Sequence, residues 1–281
     1  MSATGPILEV TDLSVDRGTG RRRKRTVDAV SFDIPTGTTL GLVGESGSGK
    51  TTTGMAILGM LPIASGRVLF EGRDISRMPR GERRALGALR QVIFQDPYSS
   101  LDPSKTIGYT LAEPCRIVSR DKRMTAAETA DRAAMLLERV GLSEDAAHRY
   151  PAQFSGGQRQ RIAIARSLML SPRLIVCDEP VSALDLSVQA EVLNLLSELQ
   201  RDLGLSLLFI SHDLSVVRHI SHTIAVLKEG RIVELGPAAD VYERPREDYT
   251  RSLLAAAPVP DPAEQRARRE ERQRRRNEGE Q

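Results

Sequence analysis

Long apolar runs are missing from this 281-residue chain. The longest, such as LSLLFI and RLIVC, fall far short of the roughly 20 residues a membrane-spanning helix needs, so the chain is not expected to cross a bilayer by itself. Its opening residues, MSATGPILEV, have neither a charged n-region nor an apolar h-region; no secretory signal is read there and a cytoplasmic location is expected. Cysteine is scarce, with two in the chain. Cys115 and Cys177 lie far apart, and Cys177 sits in an apolar strand-like run, which fits a small packed hydrophobe in reducing surroundings better than a disulfide or metal ligand. Aromatic residues make up 4% of the chain. None interleaves with the two basic clusters, RRRKR at 21–25 and the arginine-rich last twenty residues, which weakens a single-strand nucleic-acid reading. The first cluster reads as a solvated hairpin loop, with a nucleic-acid or anionic-lipid patch as the alternative. The last mixes arginine and glutamate without apolar residues, so disorder or a marginal surface helix is expected.

What is present is the composition of a globular domain: 40% hydrophobic, 27% charged, net charge +3. ILEVTDLSV and TVDAVSFDI read as strands joined by the basic loop. TTLGLVG reads as a buried strand running into a glycine-rich loop, and TTTGMAILGML as the helix after it. GRVLFEGRDIS gives another strand and turn, and the segment ending VIFQDP a short apolar strand. From about Thr106 to Leu168 the strand signal gives way to helical spacing, as in TAAETADRAAMLLERVGL, which marks a helical insert. Strands return in RLIVCDEP, SLLFISHD and TIAVLKEGRIVELG, with the helix SVQAEVLNLLSELQRDLG among them. The alternation implies an α/β fold whose mostly parallel sheet is covered on both faces.

GESGSGKT, Gly44 to Thr51, matches the phosphate-loop pattern between a predicted strand and a predicted helix, the context that gives the match meaning. Backbone N–H groups of Gly44, Glu45, Ser46, Gly47, Ser48 and Gly49, and of Thr52 beyond them, can surround phosphate oxygens. Lys50 reaches the terminal phosphates, and the Thr51 hydroxyl is placed for Mg²⁺. Asp178 and Glu179 close an apolar strand, where adjacent carboxylates are costly to bury without a cation. Asp178 is assigned to Mg²⁺, and Glu179 to orienting and polarising the attacking water. His212 follows another apolar strand and is expected at the same sheet edge, bonded to the terminal phosphate. Gln95 occupies a comparable edge where the insert begins, and is read as a sensor of Mg²⁺ or water. Ser155, Gly156 and Gly157 open the helix QRQRIAIARSL. That start is either an anion site or an ordinary serine–glycine helix cap, and residue types alone leave both open.

Taken together, these motifs resemble the ATP-binding subunit of an ABC transporter over about residues 6–257. They stand in that family's order: phosphate loop, Gln95, the signature SGGQ at Ser155 to Gln158, Asp178 with Glu179, SALD ending in Asp185, and His212. The resemblance implies a P-loop NTPase (RecA-like) core with an N-terminal antiparallel β-subdomain and a helical signature insert at about 96–168. It also implies ATP and Mg²⁺ as cofactors, with Thr51, Gln95 and Asp178 toward the metal and Lys50, Gln95, Glu179 and His212 as the catalytic set. Two cassettes would stack head to tail, so that Ser155, Gly157, Gln158 and Asp185 face a neighbour's nucleotide. Implied partners are a second ATP-binding subunit, identical or sister, two membrane permease subunits contacted through the insert, and indirectly an extracytoplasmic solute-binding protein, at the cytoplasmic face of the membrane. No nucleic-acid partner is expected.

QDPYSSLDP at 95–103 and RPREDYTRSLL at 244–254 resemble the oligopeptide/dipeptide and nickel importer ATPases, with a subfamily segment at about 236–257 and the tail at 258–281. Where that group usually reads proline, histidine, proline, tyrosine, threonine, this chain keeps Tyr249 and Thr250. No aromatic residue lies between Glu9 and Val30 to stack on adenine, so Val15, Arg17 or Arg25 is expected to take the base. The competing classes are a soluble ABC ATPase acting on ribosomes or DNA, and an exporter subunit. Such soluble proteins usually carry two cassettes or a long coiled-coil insertion, and exporters often fuse the cassette to membrane helices.

Overall fold

The structure is a computed structural model that describes residues 5–18, 20, 23–96, 101–117 and 124–256. The basic tail, two arginines of the basic loop and positions 97–100 after Gln95 lie outside the described residues. Among the described residues ten strands run in chain order: β1 Leu8–Arg17, β2 Lys24–Ile34, β3 Thr39–Val43, β4 Ser65–Phe70, β5 Arg73–Asp74, β6 Arg90–Ile93, β7 Leu174–Asp178, β8 Ser206–Ser211, β9 Thr223–Lys228 and β10 Arg231–Pro237. They form two sheets, β2-β1-β4-β5 and β10-β9-β3-β8-β7-β6. The first is antiparallel throughout. In the second, β6, β7, β8, β3 and β9 are parallel and only β10 runs antiparallel, against β9.

The sequence pattern explains the difference. Every residue of β3, β7 and β8 is buried, as near-continuous apolar strands covered on both faces must be. β2, by contrast, alternates buried and exposed positions over its second half. The expected α/β core with an antiparallel β-subdomain is what the chain adopts.

Nine α-helices lie among the described residues: α1 Lys50–Ile57, α2 Arg80–Gly87, α3 Ile107–Ile117, α4 Ala126–Arg139, α5 Gly156–Leu168, α6 Leu186–Leu203, α7 Leu214–Ile220, α8 Ala238–Glu243 and α9 Asp248–Ala256. None is long and apolar enough to cross a membrane. The sequence reading of α1 ran on through Leu61. The helix instead stops at Ile57, with the Gly59 N–H donating to Ala56 O at 2.9 Å. The insert has no core of its own: Ile107, Leu111, Leu136 and Ile164 belong to the same buried cluster as Cys177 and Phe209 of the parallel sheet. Cys177 is fully buried and free, and burial pushes its thiol well above the ordinary range.

Arginines fix α5 from three sides. Arg132 of α4 donates to the Met169 and Leu168 carbonyls at 2.7 and 2.9 Å, capping the C-terminal end of α5. Arg166 pairs with Glu113 of α3 at 2.7 Å. Arg161 donates to Val140 O at 2.9 Å and pairs with Glu191 of α6 at 2.8 Å.

α7 has no counterpart in the sequence reading. It is short, starts with Asp213 capping the Ser215 N–H at 2.8 Å, and lies directly on β3. Gly41 makes that approach possible: a Cβ there would run into Val217 Cγ1 and stand 2.6 Å from Ser221 Oγ. Gly41→Ala should therefore overpack this contact and lower unfolding stability by about 1–3 kcal/mol. Denaturant unfolding monitored by circular dichroism measures it; an unchanged midpoint would contradict the close approach.

Candidate functional site

The phosphate loop leaves β3 without a break, and its shape is set by glycine. Gly44, Gly47 and Gly49 take φ of 153, 82 and 109°. Gly49, the N-cap of α1, is left-handed and supplies no side-chain cap, so the first turn of that helix keeps its N–H groups directed at the loop. Ser48 Oγ is buried without a hydrogen-bond partner and lies 2.9 Å from where a Gly44 Cβ would stand. An uncapped helix start around an orphaned hydroxyl fits a phosphate group. Lys50 is buried, and its ammonium donates to Gly44 O at 2.7 Å and Glu45 O at 2.9 Å. Burial lowers its pKa; the charges of Glu179 and Asp178 act the other way.

Strand ends bring the remaining groups to this loop. The Thr51 hydroxyl donates to Asp178 Oδ1 at 2.8 Å, tying α1 to the end of β7. Burial raises the Asp178 carboxyl above the usual carboxylate range; the Thr51 hydrogen bond pulls it down, Glu179 pushes it up, and Lys50 pulls it down. Glu179 follows with φ +49°, a left-handed conformation unusual for a non-glycine residue, while its N–H donates to Ile210 O at 3.0 Å. Its Oε2 lies 3.1 Å from His212 Nδ1 and accepts from Gln95 Nε2 at 3.3 Å. With Glu179 ionised, that geometry requires the imidazole proton on Nδ1. The structure thus gathers the loop, Gln95, Asp178, Glu179 and His212 at one edge of the parallel sheet, where open α/β sheets bind ligands.

Thr51 and Asp178 offer a hydroxyl and a carboxylate oxygen. Such a pair suits Mg²⁺, which keeps several waters and takes phosphate oxygens, rather than a metal needing an all-protein cage. Among the described residues no group of three or more His, Cys, Asp or Glu side chains is arranged as such a cage.

The signature residues form a second cluster. Ser155 Oγ accepts the Gln158 N–H at 3.3 Å while Gln158 Oε1 accepts the Ser155 N–H at 3.0 Å, a closed capping box. Asp185 caps α6, accepting from the Val188 N–H at 3.0 Å and the Ser187 hydroxyl at 2.7 Å; these bonds hold its carboxyl below the usual range. The two caps meet at Gly157, whose missing Cβ would collide with Val188. The hydrogen bonds of Ser155 and Asp185 close within their own turns.

Two supports of the loop had no reading in the sequence. Gly230, in the β9–β10 turn, donates its N–H to Ser48 O at 2.9 Å, and its carbonyl accepts the Asp28 N–H at 2.8 Å. The Tyr249 hydroxyl oxygen accepts the Glu45 N–H at 3.1 Å. The glycine of KEGR signals a turn, but nothing local says what the turn touches; Tyr249 stood out only as part of a family pattern. One expectation is corrected. Val15 is fully buried inside β1 and has no face to offer a nucleobase. Arg25 is engaged by Asp16 at 2.9 Å and Asp28 at 3.4 Å, whereas Arg17 is exposed.

Thr51→Val should raise the Asp178 carboxyl further, because it removes the hydrogen bond that favours the ionised form. Titration of the Asp178 carboxyl carbon by NMR reads this directly; a fall would overturn the account.

Comparison with known proteins agrees with this geometry. The ABC transporter family model matches residues 27–182. Glutathione import ATP-binding protein GsiA of Salmonella typhimurium strain LT2 is 51% identical over 271 residues, covering 94% of this chain and 43% of that protein. The Escherichia coli K12 protein of the same name is 52% identical over 248 residues, covering 88% of this chain and 39% of its own length. The chain therefore spans less than half the length of the curated relatives it matches. Among solved structures, a dimeric post-hydrolysis state of the ATP-binding cassette MJ0796 bound to ADP and Pi superposes with a TM-score of 0.73 at 27% identity, covering 82% of this chain and 98% of that one. CbiO1 from Clostridium perfringens, part of the ABC transporter complex CbiONQ, gives 0.74 at 26% identity, covering 85% and 91%.

Proposed function

The chain belongs to the ABC transporter family, and we propose that it is an ATP-hydrolysing cassette that energises import of oligopeptides, dipeptides or a related small solute through separate permease subunits. The observation that carries hydrolysis is the restraint of Glu179. Its carboxylate is bonded by both His212 and Gln95, one residue beyond an Asp178 already tied to the phosphate loop.

On this reading the loop amides and Ser48 hold the phosphates, and Lys50 exchanges the Gly44 and Glu45 carbonyls for terminal phosphate oxygens. Thr51 and Asp178, with Gln95 nearby, would hold Mg²⁺. Bound there, Mg²⁺ would supply positive charge against the negative charge of the phosphates. Glu179 accepts a proton from the attacking water and orients it. His212 fixes the rotamer of Glu179 and reaches the terminal phosphate; Gln95 links the same carboxylate to the start of the insert. Ser155, Gly157, Gln158 and Asp185 serve a neighbouring cassette's nucleotide across a head-to-tail pair.

Import is supported by the GsiA relatives, whose named cargo, glutathione, is itself a small peptide. Two permeases, a second cassette and a binding protein outside the membrane complete the assembly, which places the chain peripherally at the cytoplasmic face. Purification from native membranes should bring down a permease pair and a second cassette; ribosomes or DNA in their place would overturn the transport reading.

Glu179→Gln should leave ATP binding intact while lowering kcat by about 10²–10⁴-fold, the usual weight of a positioned base. Steady-state phosphate release alongside equilibrium nucleotide binding separates the two effects, and near-normal turnover would remove Glu179 from the role. In mixed pairs, Ser155→Ala should disable the partner's site and spare its own.

A further inference from the structure

The mechanism leaves the C-terminal segment unused, yet the fold carries it to the phosphate loop. Tyr249, at the start of α9, accepts the Glu45 N–H at 3.1 Å across 204 residues of chain. The carbonyl of the same residue accepts the Lys50 ammonium at 2.9 Å. Glu45 is therefore held at both ends, by a lysine that must shift to meet a phosphate and by a tyrosine that need not.

The mount of that tyrosine is rigid. Glu234 of β10 is only 9% exposed; its Oε1 accepts the Arg246 N–H at 2.8 Å and its Oε2 the Glu247 N–H at 3.3 Å. These bonds anchor the chain immediately before α9. Arg251 donates back to Pro245 O at 2.7 Å, and Thr250, next to the tyrosine, is fully buried. The Tyr249 ring is half-buried, with Lys228 Nζ 4.9 Å from its centroid, on the hairpin whose Gly230 supports Ser48. Burial pushes the phenol above its ordinary pKa, which keeps the hydroxyl protonated.

We propose that Tyr249 is a positioning residue for nucleotide binding: it fixes the Glu45 peptide so that the phosphate loop keeps its shape when Lys50 leaves the Glu45 carbonyl. The proposal rests on the nucleotide-binding reading above. It makes α9 a wall of the site, and linkage then requires that nucleotide binding in turn tighten α9.

The test compares the unaltered chain with Tyr249→Phe, which keeps the ring and removes the hydroxyl. Tyr242→Phe, on α8, serves as the control. Without nucleotide, hydrogen exchange at the Glu45 amide should quicken in Tyr249→Phe and stay unchanged in Tyr242→Phe. Loss of one neutral hydrogen bond should weaken MgATP binding, and raise KM, by about two- to tenfold with kcat at saturation preserved. MgATP should slow exchange across 248–256 in the unaltered chain and do so less in Tyr249→Phe. An equal fall in kcat with unchanged KM, or a Glu45 amide that exchanges alike in both chains, overturns the proposal. Failure of the unaltered chain to bind MgATP overturns the reading beneath it, and the nucleotide-free exchange at Glu45 still decides whether the brace exists.

Discussion

A buried ammonium bonded to backbone rather than to a carboxylate is the constraint around which this molecule is arranged. Lys50 stands near Asp178 and Glu179, but its hydrogen bonds go to the Gly44 and Glu45 carbonyls. Burial opposes the charged form on both sides, lowering the lysine and raising Asp178. Such a loop cannot rely on its own side chains for shape, since its glycines contribute none and its lysine is the group that must move. Beyond the glycine turns and the Ser48 N–H bond to Glu45 O, support comes from outside it: Thr51 bonded to β7, Gly230 under Ser48, and Tyr249 on Glu45.

Much of this was legible in the sequence, for reasons that can be named. Strands β3, β7 and β8 announce themselves because full burial demands apolar residues; β7 and β8 end in polar Asp178 and Ser211, and β3 runs from Val43 into Gly44, where the sheet meets its ligand edge. Asp178, Glu179 and His212 stand out by that rule, and the loop by its own glycine and lysine pattern between strand and helix. α7 was not, because seven residues are too few for a helical period to stand out, and its place is set by what β3 lacks at Gly41 rather than by its own composition. The supports from Gly230 and Tyr249 were illegible for a different reason. A backbone carbonyl or N–H carries no residue label, so a contact whose partner is main chain leaves no pattern at either position. Val15 was misjudged because an alternating strand shows which residues share a face, but not which face the core takes.

The helical insert is joined to the sheet in a way its sequence does not advertise. It shares the sheet's core, and its signature helix α5 is gripped by Arg132 at its end and by Arg161 and Arg166 along its length. Those bonds run to α3, α4 and α6 at once. A shift of α5 would carry Ser155 with it, since the C-terminal carbonyls of the helix and its Arg161 and Arg166 are bonded to α4, α6 and α3. Gln95, bonded to Glu179, stands just after β6, before the chain enters the insert.

The two helix starts that resemble anion cradles differ in a way that explains why one chain carries both. α1 opens on Gly49 with no side-chain cap, so an anion there satisfies N–H groups that nothing else has claimed. α5 opens on a closed capping box, in which Ser155 and Gln158 already satisfy each other. The box claims the Ser155 and Gln158 N–H groups and leaves those of Gly156 and Gly157, with the Ser155 hydroxyl proton, for an anion. α5 thus offers an anion fewer N–H groups than the uncapped start of α1. On the proposed head-to-tail pairing, that asymmetry suits a signature that adds to a nucleotide already held by the neighbour's phosphate loop.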